Sequence, residues 1–498
     1  MNLSRLMYIA VACLGACGCG GGNSATSTPP PTRPAIEAEL DTNDAAEPNE
    51  TAEAHAATTL ETFASGESGP LTLLITLDTT RADHLGCYGY ERPTSPNLDR
   101  LAADSMVYER AIAPGTWTLT SHASLFTGKF VSSHGARMDP QRGLPLSLGV
   151  CGPSKILQQL RASTISPHEQ TLASILHDAG FVTGAIVGGP WMKTEFGLQL
   201  GFDHYDDQNI EPSIGRLAED VTSKALQWLS RPEVRHRFLF LNYFDPHYPL
   251  VPPEEFMAKF LPEGEVAPNG ADGKLSDRQM RDLYDAEILY TDAQLGRLLD
   301  GLQQLGLYED AWIVVTADHG DSHGEHEVYE HGRTPYQEVV HIPLIVKTPG
   351  AATTGRSAKW IQLTDVLPML LDGLQISPPA GIQGRSPPDI GHPIVIESHT
   401  IDLPGTMFGH QPGHWLCLIE PDGTKAIWNS EGHHMLFDLN SDPHEEHNLI
   451  DEHTEKFMAL SKRLQNYLAD LPRPAEVDSP TAIKPETLKA LKSLGYTK

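Results

Sequence analysis

Residues 71–78 read LTLLITLD. Seven apolar or β-branched residues follow one another without a break and close on an acid. The run is too short for a typical helix and lacks the alternation of a strand with one wet face. It predicts a strand buried on both faces, as in a parallel sheet. The same texture returns in FVTGAIVGG (181–189), FLFLNYFD (238–245), AWIVVTAD (311–318) and HIPLIVKTPG (341–350). Between these runs, LASILHDAG (172–180), RLAEDVTSKALQWLS (216–230) and LYDAEILYTDAQLGRLLDGLQQLG (283–306) space their apolar residues by three and four, as helices do. Strands alternating with helices predict an α/β domain whose mostly parallel sheet is sandwiched by helices.

Outward from that domain the texture changes. After about residue 390, HWLCLIE and TKAIWNS flank the turn signal PDG, and HHMLFDL offers one more strand. A small antiparallel subdomain is expected there, followed by an amphipathic helix. Upstream, residues 20–69 are Gly, Ser, Thr, Pro, Ala and acid, too polar to offset the entropy of ordering, and read as a tether. The opening MNLSRLMYIAVACLGACGCGGG carries Arg5 and an apolar run from Leu6 to Leu14 that is too short to span a bilayer. With LGAC at 14–17 it resembles a bacterial lipoprotein signal, which makes Cys17 the lipidated first residue of the mature chain. An ordinary signal peptide is the plainer alternative. Either leads to an exported protein, periplasmic or at the cell surface, and the first holds it to the membrane by a lipid anchor only. The organisation expected is a signal segment 1–19, a tether 20–69, a catalytic domain 70–390 and a C-terminal subdomain 391–498.

The chain has 498 residues and a formal net charge of -29. Such a field repels nucleic acid and excludes it as a partner. A small anionic substrate is still admissible where a bound cation reverses the sign locally. Cys87, Cys151 and Cys417, the cysteines outside the signal, have no spacing that makes a disulfide framework or a thiolate metal site.

Three of the expected strands end in polar groups: Asp78, then Asp245 with His247, then Asp318 with His319. In open α/β sheets ligands bind just outside the carboxyl ends of the strands. One acid there is ordinary turn chemistry. Three sets in one sheet converge on one place. Asp78, Asp318 and His319 offer two carboxylates and an imidazole to a divalent cation, and the imidazole moves the preference from harder ions toward manganese or zinc. WTLTSHASLFTG (117–128) supplies a further oxygen, Thr118. By itself Thr118 reads as a helix cap, with Ser121 sharing the work. Beside the strand-tip acids it reads as a nucleophile, because coordination makes a hydroxyl competent. In DHGDSHGEHEVYEHG (318–332) the first two residues are read as ligands, His331 as a substrate contact, and His323 and His326 as loop residues. DPHYPL (245–250) holds His247 in a stiff turn as a general acid.

These blocks, LLITLDTTRADHLGCYGY through SHASLFTG, FDPHYPL, YDAEILYTDAQLGRLL, VVTADHGDSHGEH, VVHIPLIVKTPG, QLTDVLPMLLDGL and MLFDLNSDPHEEHNLI, resemble the sulfatases of the alkaline phosphatase superfamily, in the family's order. The resemblance spans roughly residues 70–498, with an insertion at 144–164. It implies an alkaline-phosphatase-like sandwich with a smaller C-terminal sheet, and hydrolysis of sulfate esters with one divalent metal, usually calcium. It implies a small anionic ester as substrate, a sulfated glycan among the possibilities. The family's nucleophile is a formylglycine made from Cys or Ser in C/S-x-P-S-R. Thr118 holds that position here, Thr120 the proline's, Ser121 the serine's and His122 the arginine's, which places His122 among the catalytic residues. Oxidising a threonine gives a ketone, so no formylglycine forms. The family's paired Asp is Asp78–Thr79, its final Asp-Asn is Asp318–His319, and GGPWMKTEFG (188–197) stands near its missing GKWH block. The set Asp78, Thr118, Asp318 and His319 resembles one metal site of superfamily members that use Thr: nucleotide phosphodiesterases, phosphonate hydrolases and phospholipid head-group transferases. Three readings follow: a sulfatase-family hydrolase of sulfate or phosphate esters, a one-metal phosphodiesterase, phosphonate hydrolase or phosphotransferase, and a catalytically lapsed relative that binds a ligand.

Overall fold

A computed structural model describes residues 70–137, 144–145, 161–210, 215–233, 235–262, 275–399 and 413–474. The expected signal, its Cys17, the tether and most of the 144–164 insertion lie outside the described residues. Among those described, the main sheet is built from β1 (Leu71–Leu77), β2 (Met106–Ile112), β3 (Val182–Val187), β4 (His204–Asp206), β5 (Arg237–Tyr243), β6 (Trp312–Thr316), β7 (His341–Ile342), β8 (Leu344–Lys347) and β9 (Gly355–Gln362). β1 lies in the middle, parallel to β5 on one side and to β6 on the other. β3 and β4 continue the parallel set beyond β5.

All seven residues of β1 are buried, as the unbroken apolar run requires. Leu71, Leu73, Ile75 and Leu77 pack into one layer with α1 (Pro96–Ala103), α4 (Ala218–Leu229) and α5 (Asp277–Gln304). Leu74 faces the other layer, which holds α2 (Thr118–Thr127), α3 (Leu172–Asp178) and α6 (Val366–Gly373). The molecule is thus a helix–sheet–helix sandwich of the α/β class.

The strand at 341–347 differs from expectation. β7 and β8 run antiparallel to β2, and β8 is antiparallel to β6 as well. The chain comes back from β6 through a segment with no crossover helix, only the short helical turns Glu325–Glu327 and Gln337–Val340, and it returns in the opposite direction. Pro343, which has no N–H to donate, separates β7 from β8.

The C-terminal sheet is antiparallel, β10 (Ile394–Ser398), β11 (Trp415–Ile419), β12 (Thr424–Asn429) and β13 (Met435–Asp438) in that order. The hairpin expected around PDG joins β11 and β12. Ile394, Ile396, Trp415, Cys417 and Ile427 join the same apolar core as α2 and α6. Amphipathic α7 (Thr454–Ala469) covers the sheet with Phe457 and Leu464. Among the described residues no helix is long and apolar enough to cross a membrane.

Candidate metal centre and active site

β1, β5 and β6 lie side by side in register, Leu77 opposite Tyr243 and Thr76 opposite Thr316. Their carboxyl ends therefore deliver Asp78, the 245–247 turn and Asp318 to one edge of the sheet. One ligand atom from each of Asp78, Asp318 and His319 lies within 4.8 Å of the others, and all three residues are buried. Asp318 Oδ1 accepts the backbone N–H groups of His319 at 2.9 Å and Thr79 at 3.3 Å, while its Oδ2 has no hydrogen-bond partner. The Asn242 amide is near enough to Asp78 to favour its charged form somewhat, yet neither Asp78 oxygen makes a hydrogen bond of normal geometry. His319 Nδ1–H donates to the Gly320 carbonyl at 2.9 Å, so the neutral ring presents an unprotonated Nε2, 3.4 Å from Asp318 Oδ2. Burial, then the Asp318 carboxylate, pushes Asp78 well above the usual carboxylate range. Burial also raises Asp318, and burial and His331 lower His319. Buried carboxylate oxygens without donors, facing an imidazole lone pair, are costly unless a cation lies among them. The donor set fits a divalent ion.

Thr118 Oγ1 lies 3.4 Å from His319 Nε2. Thr118 is the first residue of α2 and is not its cap; the N-cap is Trp117, whose side chain makes no cap bond. The hydroxyl is thus directed at the polar cluster and leaves the helix N–H groups alone. His331 Nδ1–H donates to Asp321 Oδ1 at 2.9 Å, and its ring lies 4.4 Å from that of His319 and 4.9 Å from that of His247. Burial opposes it, but the nearby His323 ring and the hydrogen bond from His331 hold Asp321 well below the usual carboxylate range. His247 stacks on Phe244 and donates from Nδ1 to the Tyr248 carbonyl. Burial, then His331, lowers its pKa to about 3, so at neutral pH its Nε2 is an acceptor. The ring expected to act as a general acid is thus neutral in this state.

The model of the family described as Sulfatase matches residues 70–376, well over half of the chain. The chain belongs to the sulfatase family. An arylsulfatase of Clostridium perfringens is 25% identical over 465 residues, covering 79% of this sulfatase and 93% of the relative. Among solved structures, one bound to its substrate D-glucosamine-2-N,6-O-disulfate superposes with a TM-score of 0.63 at 19% identity, over 81% of this chain and 97% of the other. The phosphonate monoester hydrolase of Agrobacterium radiobacter has a TM-score of 0.63 at 18% identity, over 84% and 100%. These two share the fold.

Two features of this sulfatase correct expectations from sequence. His122 has both ring nitrogens engaged beneath the cluster: Nδ1–H donates to the Thr118 carbonyl at 2.9 Å, and Nε2 accepts from Thr76 Oγ1 at 2.9 Å. Nδ1 is 3.5 Å from Asp318 Oδ2. The ring braces Thr118 and Asp318 from inside because position 122 lies one helical turn after 118, on the core face. His323 and His326 are also more than loop residues. His323 is buried against the Tyr284 ring at 4.4 Å, and His326 stacks on Tyr336 at 3.9 Å while donating to Glu338 and to the Glu445 carbonyl. The residues missed are Asp321, Tyr284 and Thr79. Asp321 carried a signal, an acid three places after Asp318 in a turn-rich run. Thr79 sits at φ +54, a left-handed conformation rare for a β-branched residue that costs about 1–3 kcal/mol and collects at functional sites.

Proposed function

We propose that this sulfatase-family chain is an exported, metal-dependent hydrolase of sulfate or phosphate-type esters that attacks its substrate with Thr118. One observation carries the proposal: the Thr118 hydroxyl is 3.4 Å from the ligand nitrogen of His319, beside the orphaned oxygens of Asp78 and Asp318. Asp78, Asp318, His319 and Thr118 would hold one divalent ion, calcium by family habit and manganese or zinc by the imidazole in the set. Bound there, it would lower the pKa of the hydroxyl and neutralise charge on the ester. Thr118 Oγ then attacks the central atom in line, the ester oxygen leaves, and the group rests on Thr118. In this reading His247 takes up the hydroxyl proton at Nε2 and passes it to the leaving oxygen, and His331, oriented by Asp321, contacts the transferred group. Water then attacks the central atom and frees Thr118.

Threonine at 118 favours phosphorus. A phosphothreonine is discharged by in-line attack of water, whereas the aldehyde hydrate that releases sulfate from formylglycine is closed to it. Kinship with an arylsulfatase over 79% of the chain favours the sulfate arm, and the disulfated glucosamine bound by a protein of the same fold supports a sulfated glycan as substrate. In this reading Cys17 carries a lipid anchor and the chemistry takes place outside the cytoplasm.

The test offers nitrophenyl sulfate, phosphate, phosphodiester and phosphonate esters to the purified protein with calcium, manganese or zinc. Turnover of phosphorus esters is expected, falling about a thousandfold or more in Thr118→Ala. Turnover of sulfate alone assigns the sulfate arm. Undiminished rate in Thr118→Ala removes the nucleophile, and no turnover of any ester returns the reading of a lapsed, ligand-binding relative.

A further inference from the structure

The turn after β1 holds a conformation that its sequence resists, and a residue from a distant helix holds it there. Tyr284, buried on α5, donates its hydroxyl to the Thr79 carbonyl at 2.6 Å and accepts the Arg81 N–H at 2.9 Å. One oxygen thus closes the turn across Thr79 with its φ of +54. In that conformation the Thr79 N–H reaches Asp318 Oδ1 at 3.3 Å, the oxygen already shared with the His319 N–H. Backbone donors hold Oδ1, and Oδ2 is left without a hydrogen bond, toward His319 Nε2. The same turn begins at Asp78, whose carbonyl accepts the Thr79 hydroxyl at 2.8 Å.

We infer that Tyr284 is a positioning residue for the cation: its hydroxyl pins the strained Thr79 turn, which orients the Asp78 and Asp318 carboxylates toward one ion. This rests on the reading that these residues bind a cation. The Tyr284 ring packs against His84 and His323, and a phenylalanine keeps those contacts. Tyr284→Phe therefore removes the hydroxyl alone. Thr79→Gly supplies the control, since glycine adopts the left-handed turn without steric cost.

The full chain, stripped with chelator, is titrated with Mn2+ by calorimetry, and the melting of the metal-free protein is recorded in parallel. Tyr284→Phe is expected to bind Mn2+ roughly tenfold or more weakly, the range found when a group behind a ligand is lost, with the metal-free protein still unfolding in one transition at a somewhat lower temperature, since two backbone groups lose their partner. Adding Thr79→Gly is expected to restore most of that affinity. Equal affinity of wild type and Tyr284→Phe overturns the inference and leaves the metal reading standing. Weak binding that Thr79→Gly does not rescue also overturns it, because a general packing defect would behave so. Should Tyr284→Phe melt too low to titrate, the double variant carries the test by binding or failing to bind. A wild type that takes up no Mn2+, Ca2+ or Zn2+ removes the reading beneath it.

Discussion

Position 118 illustrates how a side chain's type and its direction carry different information. The threonine was visible beside the strand-tip acids, but whether its hydroxyl served the helix or the cluster depended on which residue began α2. The cap fell to Trp117, and the hydroxyl turned to His319. His122 shows the converse, since its imidazole is chemically able and its place in the helix faces it inward. A second buried imidazole allows a prediction about pH. His134 accepts the Ala136 N–H at Nδ1 at 3.1 Å and shares a 2.9 Å bond between Nε2 and Ser124 Oγ, so it is built for the neutral form. Burial lowers its pKa to about 3. The unfolded chain then binds the extra proton first, and stability is full above pH ~6.5 and falls as pH drops toward 3. Urea unfolding of the metal-free protein is expected to lose up to roughly 1.4 kcal/mol per pH unit from this group across that window. The slope should shrink by about that much in His134→Gln, and an unchanged slope would contradict the assignment.

At the scale of elements, the central strands were legible because residues buried on both faces leave no polar alternation. β2 and β9 were not, since β2 mixes buried with half-buried positions, β9 mixes exposed with buried ones, and neither forms an unbroken apolar run. The direction of the 341–347 strand was hidden as well, because burial does not record orientation. The segment between β6 and β7 is where the site is most exposed to backbone change. Gly320 donates its N–H to the Val339 carbonyl at 2.7 Å, and a Cβ there would lie 2.2 Å from the Glu338 carbonyl oxygen. Neither backbone has a flexible end to move aside. Gly320→Ala is expected to cost about 1–3 kcal/mol in urea unfolding, as overpacking does, and to weaken Mn2+ binding by displacing His319. Retention of both stability and affinity would show that the two segments are not in contact.

For the whole molecule, the C-terminal sheet closes over the segment that carries His319 and His331. Lys425 of β12 pairs with Glu445 at 2.7 Å with both side chains buried. Lys425 also bonds the Pro335 carbonyl, and Glu445 accepts the Gln337 N–H at 2.7 Å. Sequence showed that a C-terminal sheet existed but not that it braces the site, because long-range pairing of single residues has no local pattern. The net charge of -29 makes the same centre electrostatically hostile to an anionic ester unless a cation sits in it. That cation is therefore the claim on which the chemistry depends. The direct measurement is an anomalous difference map from a crystal of the protein soaked in Mn2+. The account predicts one peak bounded by Asp78, Asp318 and His319, with Thr118 Oγ among its neighbours at roughly 2–2.6 Å. A map with no peak there, or with manganese held elsewhere while these carboxylates stand apart, would contradict it.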